Sequence, residues 1–141
     1  MADRQEATVT LPSVPASVST ARRHVLDILA QWGLPRRTED AETVRLIVSE
    51  LATNTVQHTR GQSSTFTVDV RLDRDEELRI GVTDSHPRHP RLPAAVQQDH
   101  GRGMVIVRCL AAERGGRVTV VPTAEGGKTV WIRLPWIAPA H

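Results

Sequence analysis

The hydrophobic pattern switches between helical and strand periods in an order that few folds accommodate. Residues 6–11 (EATVTL) alternate as a short edge strand, punctuated by Pro12 and Pro15. From about residue 17 to 32, apolar residues fall at three- and four-residue steps (Val18, Ala21, Val25, Ile28, Leu29), which reads as one face of a helix. Gly33 and Pro35 stop it. A second helix follows Thr38, a suitable N-cap, with Glu39, Asp40 and Glu42 at the positive end of the helix dipole. Its apolar face is Val44, Val48, Leu51 and Thr55, and the pattern runs to His58. Period two then takes over in residues 65–72 and 77–83, joined by a polar turn, and Asp84 ends the second strand. Residues 85–100 carry Pro and His without periodicity and read as a long loop. Gly101-Arg102-Gly103 closes that loop and opens a third helix over residues 104–113. Residues 117–121 and 128–134 complete the chain as a strand pair around Glu125-Gly126-Gly127. This order predicts an α+β fold, a two-layer sandwich whose mixed, mostly antiparallel sheet is covered by helices on one face. The adjacent hairpins argue against a doubly wound parallel sheet.

The 141 residues suit one domain, predicted over residues 6–134, with tails at 1–5 and 135–141. Hydrophobic residues at 39% supply a core without a disulfide or metal staple. No apolar run is long enough to span a bilayer, so no membrane role is expected. The N-terminus lacks a basic-then-apolar leader, and Cys109 is the lone cysteine, so the expected compartment is the cytoplasm. The net charge of +2 is spread over scattered arginines, and aromatic residues are 3% of the chain. A direct nucleic-acid interface is therefore not expected. His86, His89, His100 and Cys109 lack the paired spacing of a zinc site.

Three places could carry chemistry. Glu50 and Asn54 lie four residues apart, one above the other on the second helix, and His58 continues the row. A carboxylate there suits general-base work, and a carboxamide oxygen suits Mg²⁺. The same row also fits a solvated helix stripe. Asp84, at a strand end, could accept a hydrogen bond from an exocyclic amine, or serve only as a turn residue. Glycines leading into a helix, as at Gly101 and Gly103, let backbone N–H groups approach an anion, with Arg102 adding charge. The plain alternative is a loop-to-helix joint. The segment is neither a Walker A loop nor a dinucleotide fingerprint.

Taken in order, ELATNTVQH, a strand ending in Asp84, GRGM opening a helix and GGKTVWIRL resemble the GHKL ATPase superfamily, over roughly residues 8–134. The short form, with ELATN and GRGMVIVRCLA, is most similar to the anti-sigma-factor serine kinases of the RsbW and SpoIIAB type and their actinobacterial relatives. The resemblance implies the Bergerat ATP-binding fold, with ATP and Mg²⁺ as ligand and cofactor. It implies that Asn54 binds Mg²⁺ across the phosphates and that Glu50 takes the proton from a substrate serine. It further implies that Asp84 binds the adenine amino group and that Gly101 and Gly103 cradle phosphate as a lid closes. Thr129 would support Asp84 and a water at the base, and His58 stands where many relatives have a histidine. The chain departs from its relatives after Asp84, where Ser85-His86-Pro87-Arg88 replaces glycines and stiffens the backbone. Arg88 or Arg91 is then a candidate phosphate contact. The implied activity is phosphoryl transfer from MgATP to a serine of an anti-sigma-factor antagonist, with a sigma factor as a second partner and a homodimer as the assembly. Two rivals remain open: a nucleotide-binding module that sequesters its partner without kinase activity, and an α+β domain with no nucleotide site.

Overall fold

A computed structural model describes residues 4–34, 37–58, 65–73, 77–84, 94–124 and 127–135, with the side chains of 4, 58 and 94–103 excepted. The elements are β1 (Arg4–Pro12), α1 (Ala16–Gln31), α2 (Glu39–His58), β2 (Thr65–Asp73), β3 (Glu77–Asp84), α3 (Ala94–Glu113), β4 (Arg117–Pro122) and β5 (Lys128–Pro135). The strands form one sheet in the order β1-β2-β3-β5-β4, and all four pairings are antiparallel. The α+β sandwich expected from the sequence is the observed architecture, with the mixed sheet resolved as antiparallel.

Strand alternation decides which face is covered. In β2, Phe66, Val68, Val70 and Leu72 are buried, whereas the residues between them are half-buried. Register places Val68 beside Val82 and Val82 beside Val130, so one face is apolar from strand to strand. The helices pack against that face and α2 touches both α1 and α3. Ala21, Val25 and Leu29 of α1 and Val44, Ile47, Val48, Leu51 and Ala52 of α2 close the core from above, and all are essentially inaccessible to solvent. Truncating a side chain so enclosed typically costs ~2–5 kcal/mol.

The helix ends follow from local chemistry. Thr38 Oγ1 accepts the Ala41 N–H at 3.1 Å, which caps α2 as its sequence predicts. The α1 C-terminus closes through Gly33, whose φ of +107° admits the left-handed turn. The Leu34 N–H then reaches the Leu29 carbonyl at 2.8 Å, and Leu34 is buried against the core.

One element differs from expectation. The sequence places a helix start at Met104, but α3 begins at Ala94. Ala94, Ala95, Gln97 and Gln98 have favourable helix propensity, and Pro93 stands just ahead, where a helix tolerates proline. Gly101 and Gly103 weaken the helix without stopping it. Residues 85–93 of the expected loop, including Arg88 and Arg91, lie outside the described residues.

Candidate nucleotide site

The row on α2 forms because its residues recur every fourth position. Glu50 and Asn54 are half-buried at the margin of the apolar stripe of Leu51 and Val48. Asn54 Nδ2 is buried and has no hydrogen-bond partner among the described residues. A buried amide left in this condition costs roughly 1–3 kcal/mol. Rotating the amide by half a turn exchanges Nδ2 for Oδ1. The corner can therefore present a donor to a phosphate oxygen or an acceptor to a cation.

Asp84 closes the covered face of β3. It pairs across from Phe66, shares the parity of Val82 and Ile80, and is 4% exposed. Asn54 and Asp84, thirty residues apart in sequence, line one recess of about 330 Å³ with Leu51, Thr55, Met104, Lys128 and Val130. Glu50 stands one helical turn from Asn54, just outside this lining. His58 lies at the last turn of α2, and its side chain is outside the description.

Two expected members sit elsewhere. Thr129 pairs with Thr83, and their hydroxyl oxygens meet at 2.7 Å on the sheet face away from the helices. The residue on the recess side is its neighbour, Lys128. The β3–β5 register (Thr83 with Thr129, Val82 with Val130) carries Lys128 to the position directly across from Asp84. Cross-strand Cβ atoms so placed are about 4.5–5.5 Å apart, so an ammonium-bearing chain and a carboxylate stand side by side. Lys128, not Thr129, is thus the β5 residue that lines the recess with Asp84. The signal was in the sequence: Lys128 shares parity with the buried Val130, Ile132 and Leu134. Gly101, Arg102 and Gly103 are the second correction. They lie past the first turn of α3, where N–H groups bond to carbonyls four residues back. The free N–H donors of a helix belong to its first turn, so these glycines present no anion cradle in this structure.

A recess of similar size, about 340 Å³, lies at the other end of α2, lined by Leu34, Asp40, Thr43, Val44, Leu78, Arg114, Leu134 and Pro135. Its polar groups satisfy one another. Arg114 Nη1 meets Asp40 Oδ1 at 2.9 Å, and Arg114 Nε donates to Thr43 Oγ1 at 3.3 Å. Of these two recesses, only the one at Asn54 is lined by a buried polar atom with no hydrogen-bond partner among the described residues.

Residues 11–134 match the family model of the histidine kinase-like ATPase domain. The chain belongs to that family. The GHKL resemblance read from its motifs agrees with this match. No curated protein matches the sequence. Among solved structures, the RsbU and RsbW domains of Rv1364c from Mycobacterium tuberculosis are similar over 97% of this chain and 34% of that one, at 18% identity and a TM-score of 0.67. Full-length ShkA in complex with AMPPNP is similar over 94% of this chain and 32% of its own, at 23% identity and a TM-score of 0.60. The blue-light activated histidine kinase of Erythrobacter litoralis EL346 is similar over 86% of this chain and 40% of its own, at 24% identity and a TM-score of 0.54. This histidine kinase-like ATPase domain thus spans about a third of the first two proteins and two fifths of the third. At these identities the likeness establishes the fold. Among the described residues, no helix is long and apolar enough to cross a membrane.

Proposed function

We propose that this chain binds MgATP in the recess between α2, β3, β5 and α3. There it transfers the γ-phosphoryl group to a serine of a partner protein, as an anti-sigma-factor kinase of the cytoplasm does. The observation that carries the reading is the meeting of Asn54 and Asp84 in one recess. Asp84 would accept a hydrogen bond from the adenine amino group, and the orphaned amide of Asn54 would face the phosphates and their Mg²⁺. The cation, when bound, neutralises phosphate charge as the β,γ-bridging P–O bond breaks. Glu50, one turn from Asn54, would take the proton from the serine hydroxyl as its oxygen bonds to phosphorus, leaving ADP and the phosphoserine. Placing these groups is most of the catalysis, because phosphoryl transfer rests on positioning and charge stabilisation. The antagonist, the sigma factor and a homodimer are the partners this reading implies.

A second reading, nucleotide binding without transfer, draws on two observations. Lys128 stands opposite Asp84, and the glycines at 101 and 103 are wound into α3. A phosphate cradle at those glycines would require that part of α3 to unwind.

A melting series with millimolar MgATP and a radiolabel-transfer assay to candidate antagonists separate the readings. A ligand at 100 times its Kd adds about 2.7 kcal/mol to folding stability, so a raised melting temperature is expected. Glu50→Gln should lower transfer by about 10²–10⁴-fold and leave the melting shift intact. Transfer that survives Glu50→Gln removes Glu50 as base. A shift without transfer to any antagonist favours the second reading, and no shift removes both.

A further inference from the structure

The sheet face opposite the helices carries a charge pattern that folding does not explain. Register sets Arg71 beside Arg79, Arg79 beside Arg133, and Arg133 beside Arg117. Four arginines thus cross β2, β3, β5 and β4 in one row, about 14 Å long at the usual strand spacing. Like charges directly opposite one another destabilise a sheet. Acids relieve one end of the row. Arg79 meets Asp73 at 2.8 Å and Glu77 at 3.7 Å, and Arg71 meets Glu6 at 3.9 Å. The other end is unrelieved: among the described residues, neither Arg133 nor Arg117 has an acidic partner. The Nε of Arg133, like that of Arg79, is buried without a hydrogen bond.

Beside this end lies an aromatic platform. Trp131 covers Gly81 so closely that a Cβ at that glycine would fall 2.7 Å from the indole. The guanidinium of Arg71 sits over the indole, 4.9 Å from its centroid. Arg71, Arg79, Arg133, Trp131, Thr119 and Val121 enclose a hollow of about 450 Å³, larger than the recess at Asn54. Val121 is exposed despite its size. Arginine and tryptophan beside an apolar spot are the composition of an interface centre.

We infer that this face docks an acidic segment of a partner protein, with carboxylates on Arg133 and Arg117 and an apolar side chain on Val121 beside the edge of the Trp131 indole. Charge complementarity selects the occupant. The row is short and bordered on the same face by Asp69, Asp73 and Glu77. A nucleic-acid backbone or an anionic membrane would press continuous negative charge onto those carboxylates. A peptide can set two carboxylates on the unrelieved end and avoid them. The inference is independent of nucleotide binding.

The test uses a fluorescein-labelled dodecapeptide of repeating Glu-Asp-Leu, an oligo-dT strand of 20 nucleotides, and phosphatidylcholine vesicles containing phosphatidylserine. Fluorescence anisotropy and sedimentation are read on the whole chain. The peptide should bind best, and the Arg117→Gln/Arg133→Gln double variant should weaken it at least tenfold. Arg45→Gln, on the outer side of α2, should leave it unchanged. Glu77→Gln, which removes a carboxylate that lines the same hollow as Arg117 and Arg133 but pairs with Arg79, should strengthen binding a few-fold, a gain that misfolding cannot produce. Equal binding by the double variant, tighter binding of the oligonucleotide or vesicles, or a dimer that the double variant dissociates would each overturn the inference.

Discussion

The two ends of α2 adjoin recesses of nearly equal size and treat their polar groups in opposite ways. At the N-terminal end, Thr38 caps the helix and Arg114, from the end of α3, reaches Asp40 and Thr43. These charges suit their places, since acids favour the first turn of a helix. At the C-terminal half, Asn54 is turned toward a recess and its amide nitrogen bonds to nothing among the described residues. Size alone therefore does not separate a packing defect from a site. The separation lies in whether the polar groups are already spent on one another.

Asn54→Leu gives the largest expected effect and the sharpest test of this contrast. Leucine shares the branching at Cγ and leaves no orphaned amide, and replacing an unsatisfied buried group with an apolar one of like shape is neutral or stabilising. The variant should melt no lower than the parent, while MgATP affinity falls about 100-fold, equivalent to about 2.7 kcal/mol. Calorimetric titration and a melting curve on the same sample read both. A variant that melts lower and still binds MgATP would reverse the roles of the two ends.

The matching change at the other end is Arg114→Met. Methionine keeps much of the aliphatic packing but strands Asp40 and Thr43. Its ion pair with Asp40 is about two thirds covered, so the loss should be about 1–2 kcal/mol in a denaturant titration, with MgATP affinity unchanged. A loss of affinity instead would mean that the α2–α3 contact governs the nucleotide recess from a distance.

Most of the architecture was legible because it rests on periodicity. The alternation in residues 65–72 and 77–83 is the burial alternation of β2 and β3, and Thr38 caps α2 as read. Asp84 and Asn54 could be singled out by residue type, but their meeting depends on the sheet order and on how α2 lies across it. Thr129 lies just past Gly126 and Gly127, but parity with Val130 and Ile132 puts its neighbour Lys128 on the covered side. The early start of α3 was hidden because residues 94–103 carry no apolar stripe, so their helicity leaves no period to read. The arginine row was illegible for another reason. Arg71, Arg79, Arg117 and Arg133 look scattered along the chain and align only when four strands are in register.

The smallest predicted effect tests how far the pairing at the N-terminal end extends toward water. Glu42 and Arg45 form a two-bond contact, with Nε to Oε2 at 3.0 Å and Nη2 to Oε1 at 2.9 Å, and both side chains are exposed. The hydrogen bonds from Arg45, helped by its charge, hold the Glu42 carboxyl below its ordinary range. A carboxylate depressed on folding contributes stability above the unfolded pKa, and that contribution fades as pH falls through the folded one. Water and salt screen a pair so exposed, so the melting temperature should barely register its loss. The titration of Glu42 followed by NMR should register it: the midpoint lies below that of an ordinary glutamate, Arg45→Gln returns it there, and added salt moves it the same way. A midpoint indifferent to Arg45 would mean that the self-pairing at this end stops at Arg114, Asp40 and Thr43, the groups that the core partly shelters.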